Sequence, residues 1–229
     1  MTPKDGSRVA ASLPSGQEKP SGRWALIVLI GFLVVVELVL QLADHKLLGS
    51  SASTSLRRLA YDYGAFWPGL LSGWTPNYAA QPWVMFFSYG IFHGGLSHLV
   101  VNMITLWSLA RGVIARVDIL GFMLIYLGAQ IGGGAMFALL AQPVPPMVGA
   151  SGALFGLVGA LLSWNYVDRY TYRERLWPVA NAAFWLVLLN VLLWWAMNGQ
   201  LAWETHLGGF IAGWIIALLV DPRPRGDML

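Results

Sequence analysis

The chain contains no cysteine and very few charged residues. With no cysteine among its 229 residues, a disulfide framework, a thiolate metal site and a cysteine nucleophile are all excluded. Only 11% of the residues are charged and 57% are hydrophobic, whereas soluble domains carry about 25% charged residues. This shortage of charge excludes an ordinary soluble domain. The net charge of +3 reflects membrane topology better than it reflects a nucleic-acid partner, and none is expected.

The chain instead contains long apolar runs. A helix needs ~20 mostly apolar residues to cross a hydrocarbon core of ~30 Å. Six runs approach or reach this length, and several tryptophans lie at their ends, where amphipathic rings suit the headgroup layer. We therefore expect an all-α fold, a polytopic bundle of six transmembrane helices in a lipid bilayer. The runs are residues 24–42, 95–110, 119–141, 150–167, 177–197 and 205–220.

The segments outside these runs define the domain organisation. Residues 1–23 lack an apolar face and predict a disordered cytoplasmic tail. Residues 24–221 form the membrane domain, and 222–229 a short cytoplasmic tail. Residues 43–82 predict a long outer loop, which is either partly embedded in the membrane interface or simply solvated. The first run is longer than a signal-peptide core and no cleavage site follows it, so we expect an uncleaved anchor.

Lysine and arginine are unevenly distributed between the two sides of the predicted bundle. Cytoplasmic loops are enriched in these residues, so the side with eleven of them is predicted to be cytoplasmic, together with both termini. The opposite side has three. The eleven are Lys4, Arg8, Lys19, Arg23, Arg111, Arg116, Arg169, Arg173, Arg175, Arg223 and Arg225, and the three are Lys46, Arg57 and Arg58.

Four polar residues lie near the outer ends of three predicted spans. Polar groups at membrane depth are costly and are candidates for function. Ser151 lies in the first turn of the fourth span and His206 in the first turn of the sixth. His98 lies near the start of the second span, and Asn102 follows one turn deeper on the same face. The four should therefore converge at a similar depth.

Glycines predict which spans touch. Gly152 and Gly156 on the fourth span, and Gly209 and Gly213 on the sixth, are each four residues apart, and this spacing lets two helix backbones approach closely. The approach should bring the Ser151 and His206 side chains together. The fifth span has no glycine, so we expect it to pack more loosely and to face lipid.

A serine beside a histidine is the arrangement that nucleophilic catalysis needs. The hydroxyl becomes a useful nucleophile when a base accepts its proton, and histidine titrates in the right range. The oxyanion would be stabilised by the backbone N–H of Ser151 and by the Asn102 and His98 side chains. No aspartate lies in these three spans, and Glu204 should point elsewhere, so a dyad is predicted.

Each polar residue also has a structural interpretation when taken alone. A single membrane serine commonly bonds the carbonyl four residues earlier, and a single histidine commonly links helices. The joint arrangement favours function. His93 and His98 could suggest a metal, but no carboxylate or thiolate joins them, so none is expected. No cationic partner for Glu37 is evident from the sequence, and no function is assigned to it. The amides Gln130, Asn181 and Asn190 suit interhelical hydrogen bonds.

Three blocks of residues resemble those of the rhomboid family of intramembrane serine proteases. They occur in the family's order, on separate spans, and the resemblance covers about residues 82–220. Two family features differ: a Trp-Arg dipeptide of the first outer loop is absent, with Arg57, Arg58 and Trp67 nearest, and a glutamate of the second span is replaced near Ile114. The blocks are His93 with His98 and Asn102, then Gly149-Ala150-Ser151-Gly152, then His206-Leu207-Gly208-Gly209 with Gly213.

The resemblance implies a protease in a bacterial inner membrane, with its active site near the outer face. Ser151 and His206 would form the dyad, with Asn102 and His98 at the oxyanion and Phe155 stacked on the imidazole. Substrates would be single-pass membrane proteins, and no metal or cofactor is implied. An inactive rhomboid-like protein that binds transmembrane helices is the alternative. Natural substrate and oligomeric state stay open. Supporting roles would fall to His93, Gly149, Gly152, Gly209 and Gly213.

Overall fold

The computed structural model describes residues 20–48, 56–141 and 146–221, and these are mainly helical. The predicted all-α membrane bundle is confirmed. Apart from residues 20–23, which open the first helix, the predicted tails lie outside the described residues. Two 3₁₀ turns span Pro68–Leu71 and Tyr89–Ile91. The helices are α1 Pro20–Asp44, α2 Leu56–Gly64, α3 Gln81–Ser88, α4 Leu96–Leu140, α5 Ser151–Thr171, α6 Trp177–Ala196 and α7 Trp203–Val220.

Helix α4 contains two membrane spans. Its 45 residues would extend about 68 Å as one straight helix, more than twice the hydrocarbon thickness. The chain breaks at Asp118, where φ is 63° and ψ is −171°. The Asp118 carboxylate accepts hydrogen bonds from the backbone N–H groups of Leu120 at 2.9 Å and Gly121 at 3.2 Å, which caps the second half. The predicted second and third spans are therefore the two halves of α4.

Length and composition alone select four helices of the described chain as able to cross a membrane: α1 from Gly22, α4, α6 and α7. Helix α5 is not among them, although its 21 residues are long enough. Its final turns carry Asp168 and Arg169. It lies at the centre of the bundle, packed against α4 and α7, so neighbouring helices shield it from lipid. With the two halves of α4, six helical segments form the bundle.

Helices α5 and α7 touch through their backbones, as the glycine spacing predicted. A Cβ added at Gly209 would meet the backbone of Gly152, and one added at Gly213 would meet the backbone of Gly156. Small residues allow this approach, and dispersion and packing then hold the pair. The contact fixes the relative height of the two helix starts, where Ser151 and His206 lie.

Helix α6 packs most loosely, as its lack of glycine predicted. None of its residues is fully buried, and Trp177, Val187 and Trp195 are among its most exposed side chains. Apolar exposure of this kind is stable only against lipid or an apolar partner. Helix α6 therefore lies at the edge of the bundle beside α5 and α7.

The predicted outer loop folds onto the bundle through Arg57 of α2. Its guanidinium pairs with Glu37 of α1 at 2.8 Å and with Asp44 at 2.6 Å, and it donates to the His93 carbonyl at 2.9 Å. The interpretation of Glu37 as lacking a cationic partner was wrong, because that partner comes from a helix twenty residues further on. Burial disfavours the charged guanidinium, but its hydrogen bonds to Glu37, Tyr61 and Asp44 outweigh this effect and raise the pKa of Arg57.

A second ion-pair network lies at the end of the bundle opposite Arg57. Arg116, near the end of the first half of α4, pairs with Asp168 of α5 and Asp221 after α7, each at 3.0 Å. Its guanidinium also lies 4.8 Å from the ring centroid of Trp164, a cation–π distance. This network links three helices at the end distant from Ser151, so the two ends of the bundle differ in character.

Candidate active site

Ser151 and His206 are hydrogen-bonded to each other. Ser151 is the first residue of α5 and His206 lies in the first turn of α7. His206 Nε2 is 2.9 Å from Ser151 Oγ, within the range of a direct hydrogen bond. His206 is only 5% exposed. The backbone contact between α5 and α7 therefore brings together the two residues that the sequence placed on separate spans.

Phe155 stacks on the His206 imidazole. The two ring centroids are 4.1 Å apart and the planes differ by 7°. Phe155 lies one turn after Ser151 on α5, so the same helix supplies the hydroxyl and the flat surface that holds the imidazole. The stacking favours the orientation of the ring in which Nε2 faces Ser151.

The other nitrogen of His206 contacts a residue to which sequence reasoning gave no catalytic role. His206 Nδ1 lies 2.6 Å from Asn190 Oδ1 on α6. The expectation of an interhelical hydrogen bond for Asn190 is confirmed. The sequence marked Asn190 as a polar residue in an apolar span, but spacing within one helix cannot show which neighbour an amide meets.

The loop before Ser151 has a closely packed conformation that requires glycine at position 149. Gly149 has φ of +127°, a conformation that residues with a side chain rarely adopt. Its N–H donates to the Tyr89 carbonyl at 3.0 Å. A Cβ at Gly149 would lie 2.7 Å from His98 Cε1, so the His98 ring lies directly against this loop. Only glycine meets both requirements.

The two predicted oxyanion residues, His98 and Asn102, are hydrogen-bonded to neighbouring residues of their own segment. His98 Nδ1 accepts a hydrogen bond from the Gly94 N–H at 3.2 Å. A neutral ring then carries its proton on Nε2, which faces Gly149 and is free to donate. The Asn102 amide donates to the His98 carbonyl of its own helix at 2.8 Å, which uses one of its two protons. Their oxyanion role stays a prediction.

His93 anchors the segment that precedes α4. It is fully buried, and its carbonyl accepts from the Tyr61 hydroxyl at 2.6 Å as well as from Arg57. Its ring lies 5.3 Å from that of His98, edge to face. Burial, with a smaller contribution from His98, lowers the pKa of His93 to about 4, so the ring is neutral at pH 7. It supports the position of His98.

A cavity of about 480 Å³ opens beside His206. It lies between α6 and α7, and its walls are almost entirely apolar. Phe155 of α5 closes one side, and Leu186 and Val187 of α6 face Phe210 of α7 across it. His206 and Asn190 are the polar residues at its surface. An apolar segment could therefore reach the imidazole from the side of α6.

Fold and site together define a class: a polytopic helical membrane protein with a hydrogen-bonded serine and histidine at the starts of two touching helices. The family model described as the Rhomboid domain matches residues 80–223. The chain belongs to the rhomboid family.

Curated relatives agree with this assignment. RHOMBOID-like protein 6, mitochondrial, of Arabidopsis thaliana is 28% identical over 187 residues, covering 80% of this chain and 55% of that protein. RHOMBOID-like protein 5 of the same species is 30% identical over 58% of this chain and 42% of its own length. Rhomboid protease GluP of Bacillus subtilis (strain 168) is 32% identical over 56% of this chain and 24% of its own length. The chain spans about half the length of these relatives, or less.

Proposed function

We propose that this chain is an intramembrane serine endopeptidase that cleaves transmembrane segments of other membrane proteins. The observation that carries the proposal is the 2.9 Å hydrogen bond between Ser151 Oγ and His206 Nε2 at the starts of two membrane helices. Membership of the rhomboid family, which includes a relative named as a protease, supports the same chemistry.

In the first step, His206 Nε2 accepts the Ser151 proton while Ser151 Oγ attacks the carbonyl carbon of the scissile peptide bond. The carbonyl oxygen becomes an oxyanion. The N–H of Ser151 has no intrahelical acceptor because Ser151 opens α5, so it is available to donate to that oxyanion. The His98 Nε2–H, held against the Gly149 loop, is the second donor, and the remaining amide proton of Asn102 is the third.

In the second step, the histidine returns the proton to the leaving amine and the peptide bond breaks, leaving an ester on Ser151. A water molecule then attacks this ester while His206 accepts its proton. The bond between the acyl carbon and Ser151 Oγ breaks, His206 returns the proton to Oγ, and the carboxylic acid product leaves. Stacking on Phe155 keeps the imidazole in place through both steps. No metal or cofactor takes part in this sequence.

The substrate class follows from the surroundings of the dyad. The cavity beside His206 is apolar and adjoins α6, so it suits an apolar segment that arrives within the bilayer. A helix hides its backbone amides, so a cleavable segment must unwind locally, which small or helix-breaking residues favour. Single-pass membrane proteins meet these requirements.

Orientation follows from the charged residues. The Ser151 end of the bundle carries Arg57 and Arg58, whereas the Arg116 end carries most of the arginines of the later connections. The positive-inside tendency then places the Arg116 end in the cytoplasm and Ser151 near the outer face. Relatives of this family include mitochondrial proteins, and a bacterial inner membrane is our proposal for this chain.

Labelling with a fluorophosphonate tests the proposal. The purified chain in detergent should label covalently, Ser151→Ala should not label, and His206→Ala should label far more slowly because the base is lost. Gel filtration and circular dichroism confirm that each variant is folded. Labelling that persists in Ser151→Ala would remove the assignment.

The alternative is a non-catalytic rhomboid-like protein that binds transmembrane helices. A folded native chain that neither labels nor cleaves single-pass reporters in proteoliposomes would favour that alternative. Retention of both Ser151 and His206, in hydrogen-bonded contact, supports the protease.

A further inference from the structure

Asn190 of α6 contacts the catalytic imidazole on the side opposite Ser151. Asn190 Oδ1 lies 2.6 Å from His206 Nδ1, and Ser151 Oγ lies 2.9 Å from His206 Nε2. The three side chains come from three different helices and form one hydrogen-bonded line through the ring. Both imidazole nitrogens thereby have a hydrogen-bond partner, and His206 is only 5% exposed.

The orientation of the Asn190 amide is fixed by its own helix. Asn190 Nδ2 donates to the Leu186 carbonyl at 3.1 Å, which leaves Oδ1 to face the imidazole. A flipped amide would place Oδ1 against the Leu186 carbonyl oxygen, with no proton between the two oxygens. The amide oxygen that faces His206 is therefore an acceptor.

This acceptor determines which nitrogen of the ring carries the proton. An amide oxygen can only accept, so His206 Nδ1 must be the donor. A neutral imidazole with its proton on Nδ1 presents a lone pair on Nε2, and Nε2 is the nitrogen that faces Ser151. The opposite tautomer would place a proton between Nε2 and the serine hydroxyl and could not accept from it.

We propose that Asn190 is a positioning residue that holds His206 in the tautomer able to accept the Ser151 proton, so that a side chain on α6 completes the site. The proposal rests on the proposed protease function. Because α6 has no fully buried residue and borders the cavity, its position decides whether His206 has this partner. Catalysis then requires α6 to be docked against α7.

The test combines a spectroscopic measurement with a kinetic one. The chain has four histidines, so its spectrum with ¹⁵N-labelled histidine in detergent micelles is simple, and a His206→Ala sample assigns the signal. The native His206 should show a protonated Nδ1 and an unprotonated Nε2. In Asn190→Ala it should become a mixture of tautomers. The rate of fluorophosphonate labelling should fall about tenfold, which is the effect of one lost hydrogen bond of ~1.4 kcal/mol.

Two further variants separate positioning from general stability. Asn190→Asp keeps an oxygen acceptor for Nδ1 but places its second oxygen against the Leu186 carbonyl. It should therefore keep the native tautomer and label within about threefold of the native rate, while its melting temperature falls. Asn181→Ala removes an exposed amide from the same helix and should change neither measurement. Melting temperatures of all variants identify any loss caused by unfolding.

Each outcome either supports or overturns the positioning role of Asn190. An Asn190→Ala chain that keeps the native His206 tautomer, or that labels at the native rate, would overturn the proposal. A native chain that never labels would refute the protease, yet the ¹⁵N spectrum would still decide whether Asn190 sets the tautomer. A native tautomer and near-native labelling in Asn190→Asp, together with unchanged measurements in Asn181→Ala, would support the positioning role of Asn190.

Discussion

Replacing Gly209 by alanine should separate Ser151 from His206 without changing either residue. A Cβ built on Gly209 of α7 lies 2.7 Å from the carbonyl carbon and 3.2 Å from the Cα of Gly152 on α5. Carbon atoms in contact prefer about 3.5–4.0 Å, and backbone cannot rotate away as a side chain can. Helix α7 must therefore move back from α5 by about 1 Å.

This displacement acts directly on the dyad. Gly152 follows Ser151, and Gly209 lies one turn after His206, so a shift at the glycine contact is passed on to both side chains. The Ser151 Oγ to His206 Nε2 distance of 2.9 Å would grow to roughly 3.9 Å, beyond hydrogen-bond range. Misplacement of reacting groups by about 1 Å costs on the order of 100-fold in rate.

The assay is the rate of fluorophosphonate labelling in detergent, normalised to the folded fraction from gel filtration and circular dichroism. Gly31→Ala is the matched control, because a Cβ there meets nothing within 4 Å and the residue also lies in a membrane helix. It should label at the native rate. A folded Gly209→Ala chain that labels within threefold of the native rate would show that the glycine contact does not set the dyad geometry.

Two further changes test the surroundings of the site. Phe155→Tyr keeps the aromatic face and should label within a fewfold of the native rate, whereas Phe155→Ala loses the stacking on His206, worth about 0.5–1.5 kcal/mol, and should label two- to tenfold more slowly. Arg57→Ala leaves the buried Glu37 hydrogen-bonded to Gln41 but without its cationic partner, and should destabilise the fold by about 3–5 kcal/mol, measured by thermal unfolding in detergent. Arg58→Ala removes a neighbouring exposed arginine and should leave the melting temperature unchanged; equal melting temperatures for the two variants would contradict the buried ion pair.

The sequence was informative wherever the signal lies in the length, composition or repeat of a single helix. Run length and shortage of charge identified a membrane bundle, since hydrocarbon thickness sets helix length. Glycines four residues apart marked the touching faces of α5 and α7, because i and i+4 share a helix face. Placing Ser151 and His206 at the starts of spans that enter from the same side required only the alternation of topology. The proximity of Ser151 and His206 was therefore predictable.

The sequence was less informative about the continuity and burial of the helices than about the positions of the spans. The break at Asp118 divides one long helix into two spans, yet the apolar runs 95–110 and 119–141 already marked both halves. The run 150–167 predicted α5 as a span but not its place at the centre of the bundle, where Asp168 in its last turns meets Arg116 instead of lipid. Its burial depends on neighbours that no local window contains.

The partners of Asn190 and of Glu37 were decided by the tertiary structure alone. Asn190 and His206, and Glu37 and Arg57, are separated by 16 and 20 residues, and nothing in either local pattern names the partner. The sequence determined by itself that this is a membrane bundle with a serine and a histidine at one depth, because bilayer thickness and helical period act on each segment independently. Only packing decided that an amide on α6 faces the imidazole, because the rotation and lateral position of one helix against another are set by all their contacts together.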